Sequence, residues 1–198
     1  MGPFNVTPIL AAFLQRFPGI RVRMSVGDSH EILGYGSDVG VLVHAEQDSR
    51  LHLLPLRKQR IVIMAPKSHP LARRRGVRLK HLQGQPFIMR EQGSTTREVF
   101  EHALSEAGVG VRLVVEIGSR ESIREAVAAG IGLGAVSEIA FIPDERIVAL
   151  PIEGAEVCTH AHIICLSERR DARVIGAFLE EARGVAERWA GGRRAGGT

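Results

Sequence analysis

Aromatic side chains are scarce in this sequence: among 198 residues there is one tryptophan and one tyrosine. Binding of single-stranded nucleic acid by base stacking needs several exposed rings, so the composition argues against it. Cysteine is equally sparse. Cys158 and Cys165 lie seven apart with no CxxC spacing, which fits neither a disulfide framework nor a zinc ribbon, and two reduced thiols in a cytoplasmic protein are expected. No apolar run approaches the eighteen or so residues of a membrane span, and no signal segment is visible. A G-x-S-x-G elbow, an H-E-x-x-H helix and a Walker loop are all missing. Nothing in the sequence supports catalysis.

What the chain does have is enough apolar content, 44%, to bury the core of one large or two small domains. The formal charge is +4. The basic residues are spread along the chain, with local clusters at Arg73-Arg74-Arg75, Arg169-Arg170 and Arg193-Arg194. They read as a solvated face rather than a nucleic-acid surface.

The most informative stretch is Gln85–Ala107. A short apolar run, Pro86–Met89, passes into Gly93-Ser94-Thr95-Thr96 and then into a helical pattern with Val99, Phe100, Ala103, Leu104 and Ala107 on one face. Hydroxyls at a helix start, with unpaired backbone N–H groups and the positive end of the dipole, form a ready anion site. The competing reading is structural: Thr95 with Glu98 fits a capping box.

This unit is repeated at a spacing of eighty-nine residues. Thr7 falls on Thr96, Leu10 on Val99, Leu14 on Ala103, Gly19 on Gly108 and Val22 on Val111. Both copies read as a hydroxyl-bearing turn, an amphipathic helix, a glycine turn and an apolar strand, IRVRMSV in one and VGVRLVV in the other. Two similar α/β lobes are expected, each a mainly parallel sheet flanked by helices, with ligand groups beyond the carboxyl ends of the strands. Ser29 and Ser137 occupy such strand ends, although each also fits a helix cap.

Two other patterns carry less. Gly130-Ile131-Gly132-Leu133-Gly134 follows a helix capped by Ser119 and precedes a strand, the reverse of a dinucleotide fingerprint. Gly130 reads as the residue just past that helix. Cys158, His160 and His162 share one strand face, but steps of nearly 7 Å are wide for one zinc ion. No metal and no cofactor are expected.

Five blocks in order, VTPILAAFLQRFPGIRVRM, SDVGVL, LHLLPLRKQRIVIMAPKSHPLA, EQGSTTREVFEHAL and IREAVAAGIGLGAVSE, resemble the effector-binding region of LysR-type transcriptional regulators. The resemblance covers residues 3–189. It implies a two-lobe, periplasmic-binding-protein-like (type 2) α/β fold and a small effector held between the lobes. Lobe I is expected at residues 1–60 and 160–198 and lobe II at 61–159, with crossovers near Leu56–Ile61 and Ile152–His160. The same resemblance implies that Asn5, Thr7, Ser29, Arg90, Ser94, Thr95, Thr96, Ser119 and Ser137 border the pocket. The segments MREQGSTTR and EIGSRESIREAV look closest to regulators associated with phosphonate utilisation.

Two departures from the family pattern stand out. The winged helix-turn-helix and linker helix, which carry DNA binding, are absent from this chain, so DNA is expected as a partner only through that missing domain. The segment around Ile32–Gly36 is also three or four residues short, at a helix used in subunit packing. A homodimer or homotetramer is expected for the full-length regulator, in the cytoplasm and without a membrane partner. The alternative on the same fold is the solute-binding protein of a transporter. Carboxylate, sulfate or phosphonate groups fit the hydroxyls, with Arg90 or Arg97 as a bidentate partner, although Arg97 also fits the outer face of the helix. Asp28, Glu91 and Glu138 near the same rim make a zwitterion such as 2-aminoethylphosphonate a first candidate.

Overall fold

The structure is a computed structural model that describes residues 6–24, 38–43 and 48–192. The chain divides into two compact units: Met1–Lys58 with His160–Thr198, and Gln59–Thr159. Strand β2, Leu51–Pro66, is continuous through the first boundary. Where the sequence marks a crossover near Leu56–Ile61, the backbone stays in strand conformation, because both halves find ladder partners.

In the first unit, helix α1 (Thr7–Arg16) buries Ile9 and Phe13, one turn apart, with Pro8 in its first turn. The long helix α4 (Arg173–Gly192) buries Ile175, Phe178, Leu179, Ala182 and Val185, a stripe at helical spacing. Phe13 meets Phe178 edge-on with ring centroids 5.3 Å apart. Strand β1 (Gly40–Val43) pairs antiparallel with β7 (Cys158–Leu166), and the inward residues of β7 complete this core with Leu54 and Leu56. Ile20–Met24 do not form the expected strand, and Val22 and Met24 are exposed. Their counterpart in the second copy gains its ladder from a neighbouring strand; Ile20–Met24 have no such partner among the described residues.

The second unit is a mixed sheet. Strand β3 (Pro86–Met89) runs parallel to β4 (Arg112–Glu116) and to β5 (Leu133–Ser137). The end of β2 runs antiparallel to β5 and to β6 (Ile147–Pro151). Helices α2 (Thr95–Glu106) and α3 (Arg120–Ala128) cover the sheet. Alternation along β2 divides the core: Ile61, Ile63 and Ala65 join Phe87, Phe100 and Leu104, whereas Val62 and Met64 join Ile88, Ile123 and Val127. Burial on both faces explains why this strand reads as an unbroken apolar run.

Both helices end as the glycines require. Gly108 (φ 62°) and Gly130 (φ 78°) take the left-handed conformation. The N–H groups of Val109 and Ile131 donate back to the carbonyls of Leu104 and Ala126 at 2.9 and 3.1 Å, forming Schellman closures. Gly132 is small for another reason: a Cβ there would lie 2.8 Å from the carbonyl oxygen of Pro86. Backbone cannot step aside as a side chain can. Gly132→Ala is therefore expected to destabilise by about 1–3 kcal/mol, read as a lower urea midpoint; an unchanged midpoint would show that β3 and β5 separate freely.

A candidate anion site at the strand ends of the second unit

The parallel strands β3, β4 and β5 direct their carboxyl ends to one side, where α2 and α3 begin. A small pocket opens there, lined by Met64, Arg90, Thr96, Arg120, Ile123, Ala135 and Val136. Its walls are apolar, and its charged groups are both guanidinium ions. Thr96 lies in the first turn of α2 and Arg120 is the first residue of α3, so two helix N-termini adjoin it.

The two arginines are held differently. Arg90, whose side chain is 13% exposed, donates through Nε and Nη2 to the carboxylate of Glu91, the Nε bond being 2.7 Å. This contact holds the Glu91 carboxyl below its usual range. The Arg120 side chain makes no hydrogen bond or ion pair with a described residue, and Glu121 and Glu91 act on it through space. Burial, and then the like charge of Arg90, depress its pKa from the ordinary arginine value, although a guanidinium stays charged in any case.

Arg97 belongs to the scaffold. Its side chain, 10% exposed, donates to Glu101 at 2.8 Å, to Glu116 at 2.6 Å and to the carbonyl of Arg90 at 2.8 Å. It ties the start of α2 to the ends of β3 and β4 and so fixes where Arg90 leaves the sheet. Its charge is already answered.

Of the residues singled out in the sequence, Arg90 and Thr96 meet in the pocket. Ser94 is the N-cap of α2, yet its side chain makes no cap bond, and Thr95 is the first helical residue; the Thr95–Glu98 capping box does not form. Ser119 does cap α3, accepting from the Ser122 N–H at 3.2 Å, and its hydroxyl donates to Glu121. Ser137 is buried and donates to Gln59 Oε1 at 3.0 Å, leaving Gln59 Nε2 buried with no partner. Thr7 stands exposed at the start of α1, in the other unit. Asn5 and Ser29 lie outside the described residues, as does Asp28.

Arg120 was not among the expected residues. Its sequence signal is positional: a cation at the first position of a helix opposes the dipole, where an acidic residue would be favoured. Along β7, His160 is exposed and Cys158 and His162 half-buried. Among the described residues no group of three His, Cys, Asp or Glu side chains is placed to hold a metal ion, and no helix is long and apolar enough to cross a membrane.

Comparison with known proteins gives a consistent result. The LysR substrate binding domain family matches residues 1–187. The HTH-type transcriptional activator CmpR of Synechocystis is 27% identical over 186 residues, which are 90% of this chain and 61% of that protein. The regulator CbbR of Xanthobacter flavus is 31% identical over 157 residues, 75% of this chain and 47% of that protein. The chain thus spans about half to three-fifths of the length of these relatives. Among solved structures, the regulatory domain of Synechocystis CcmR in complex with 2-PG superposes with a TM-score of 0.82 at 25% identity, covering 92% of this chain and 91% of that one. The BenM effector binding domain with benzoate has a TM-score of 0.84, covering 96% of this chain and 88% of that one; at 19% identity it attests the fold alone. This two-unit α/β chain belongs to the LysR substrate-binding domain family.

Proposed function

We propose that this chain is the sensing part of a LysR-type transcription regulator and that its effector is a small anion held at Arg90, Thr96 and Arg120. The observation that carries the reading is Arg120: a largely desolvated cation whose side chain has no hydrogen bond or ion pair with a described residue and feels Glu121 and Glu91 only through space, lining the same pocket as Arg90. A charge held in an apolar wall is costly unless something answers it. The effector acts by binding and not by bond making. It shifts the balance between arrangements of lobes or subunits, and a DNA-binding domain reports that shift. The lobes correspond to residues 1–60 with 160–198 and to 61–159, and the protein works in the cytoplasm. A solute-binding protein of a transporter shares the fold, but the regulators that match the sequence favour sensing.

Calorimetric titration against a panel of small carboxylates, sulfate and phosphonates, 2-aminoethylphosphonate included, tests this. Binding in the micromolar to millimolar range is expected for at least one class. Thr96→Val should cost that ligand about 1–3 kcal/mol, the usual effect of removing a buried polar partner, whereas Thr95→Val, outside the pocket, should leave affinity unchanged. Equal losses in both would mean that the hydroxyls act on the helix and not on the ligand.

The chain is further proposed to pair with a second copy through the helix Pro8–Phe17 and the region 119–129. Light scattering at micromolar concentration should give a dimer; a strictly monomeric species would remove this interface.

A further inference from the structure

Two guanidinium groups line the pocket of the second unit, and the carboxylate of Glu91 stands against one of them. Glu91 occupies the Nε and Nη2 positions of Arg90. It acts on Arg120 only through space. We propose that this pocket prefers a dianionic oxyanion, the terminal group of a phosphate ester, phosphonate or sulfate, over a carboxylate, with Arg120 as the residue that sets the preference. The inference rests on the effector reading above and adds the charge of the ligand.

Charge balance is the argument. Arg90 and Arg120 contribute two positive charges and Glu91 one negative. The starts of α2 and α3, twelve and nine residues long, add roughly half a positive charge each. The site therefore presents an excess of about one to two positive charges toward its lining, according to how far solvent screens Glu121. Other nearby charges reduce this excess without cancelling it. Arg97 is matched by Glu101 and Glu116. Glu121 is bonded to the Ser119 hydroxyl outside the lining and acts on Arg120 through space, an effect that solvent screens in part because Glu121 is exposed.

A monocarboxylate would answer one guanidinium and leave the other against Met64, Ile123 and Val136. A tetrahedral dianion has oxygens enough for Arg120, the Thr96 hydroxyl and the remaining edge of Arg90 together. Planar forks with fixed N–H directions suit such an oxyanion. Burial of Arg120 beside a like charge, which already depresses its pKa, makes the empty state costly in the same sense.

The test compares ligands of different charge, two of which share a tetrahedral head. Sulfate and methyl sulfate share a tetrahedral oxyanion head and differ by one charge; acetate supplies the carboxylate. Titrated calorimetrically at constant ionic strength, sulfate should bind about tenfold or more tighter than either monoanion. In Arg120→Gln that ratio should fall close to one, and Arg120→Lys, which keeps the charge without the fork, should restore part of it. Glu91→Gln should strengthen sulfate binding several-fold by removing the resident negative charge. An unchanged melting temperature without ligand shows that each variant is folded. Equal affinity for sulfate and methyl sulfate, or full selectivity retained in Arg120→Gln, overturns the dianion preference and leaves the anion site standing. If no anion on the panel, carboxylates included, gives heat with the wild-type chain, the site itself is wrong and this inference falls with it.

Discussion

Phe100→Ala is expected to lower the unfolding free energy by about 3–5 kcal/mol, the usual cost of deleting a buried phenyl ring. Phe100 is fully buried and lies with its ring centroid 5.2 Å from that of Phe87. It anchors α2 to the sheet face that also holds Ile61, Ile63 and Leu133. Total stabilities of 5–15 kcal/mol leave little margin for such a loss. The same change should loosen the first turn of α2, so anion binding should weaken along with stability. Urea denaturation of the variant beside Val174→Ala, at an exposed position, measures the effect. A difference below about 1 kcal/mol would mean that the sheet closes over the missing ring, against the rigidity expected of a packed core.

Arg90→Gln is expected to reduce anion affinity by about ten- to a hundredfold, as for loss of a charged hydrogen bond of about 1.5–3 kcal/mol. Two effects combine. The donors on Arg90 disappear, and Glu91 loses its partner while still acting electrostatically on Arg120. The freed carboxylate then becomes a competitor for the remaining cation. The double variant Arg90→Gln with Glu91→Gln should therefore bind better than Arg90→Gln alone. Titration of the two variants side by side decides the point: equal affinities would show that Glu91 does not compete.

Part of the site was legible in the residues themselves. Gly93-Ser94-Thr95-Thr96 marks a helix start, and the start of α2 does adjoin the pocket. The sequence could not say which hydroxyl faces inward, because Ser94, Thr95 and Thr96 are consecutive and the direction of each depends on where the first turn begins. Thr95 looked like a cap and is instead the first helical residue, so its pairing with Glu98 never forms. Arg97 could be read as a bidentate ligand group or as a residue of the outer helix face. Its two carboxylate partners, Glu101 and Glu116, include one from strand β4, and that neighbour cannot be read from the spacing along a helix. Ser137 stands at a strand end as expected, but its hydroxyl is taken up by Gln59, seventy-eight residues earlier.

What the sequence determined by itself are the features set by local period and by single-residue conformational preference. Ile9 with Phe13, Phe100 with Leu104 and Ile123 with Val127 each recur one turn apart, and each pair is buried. Gly108 and Gly130 follow helices and adopt the positive φ that other residues resist. The ordered blocks from VTPILAAF to GLGAVSE carried the family resemblance that the comparisons bear out. Only the tertiary structure decided that β2 continues through Lys58 and Gln59, that the sheet of the second unit is mixed, and that Arg120 joins Arg90 across one pocket. These outcomes depend on ladder register and on contacts between residues far apart in the chain. Local periodicity says which face of an element is apolar; it does not say which other element that face, or a charge at its end, will meet.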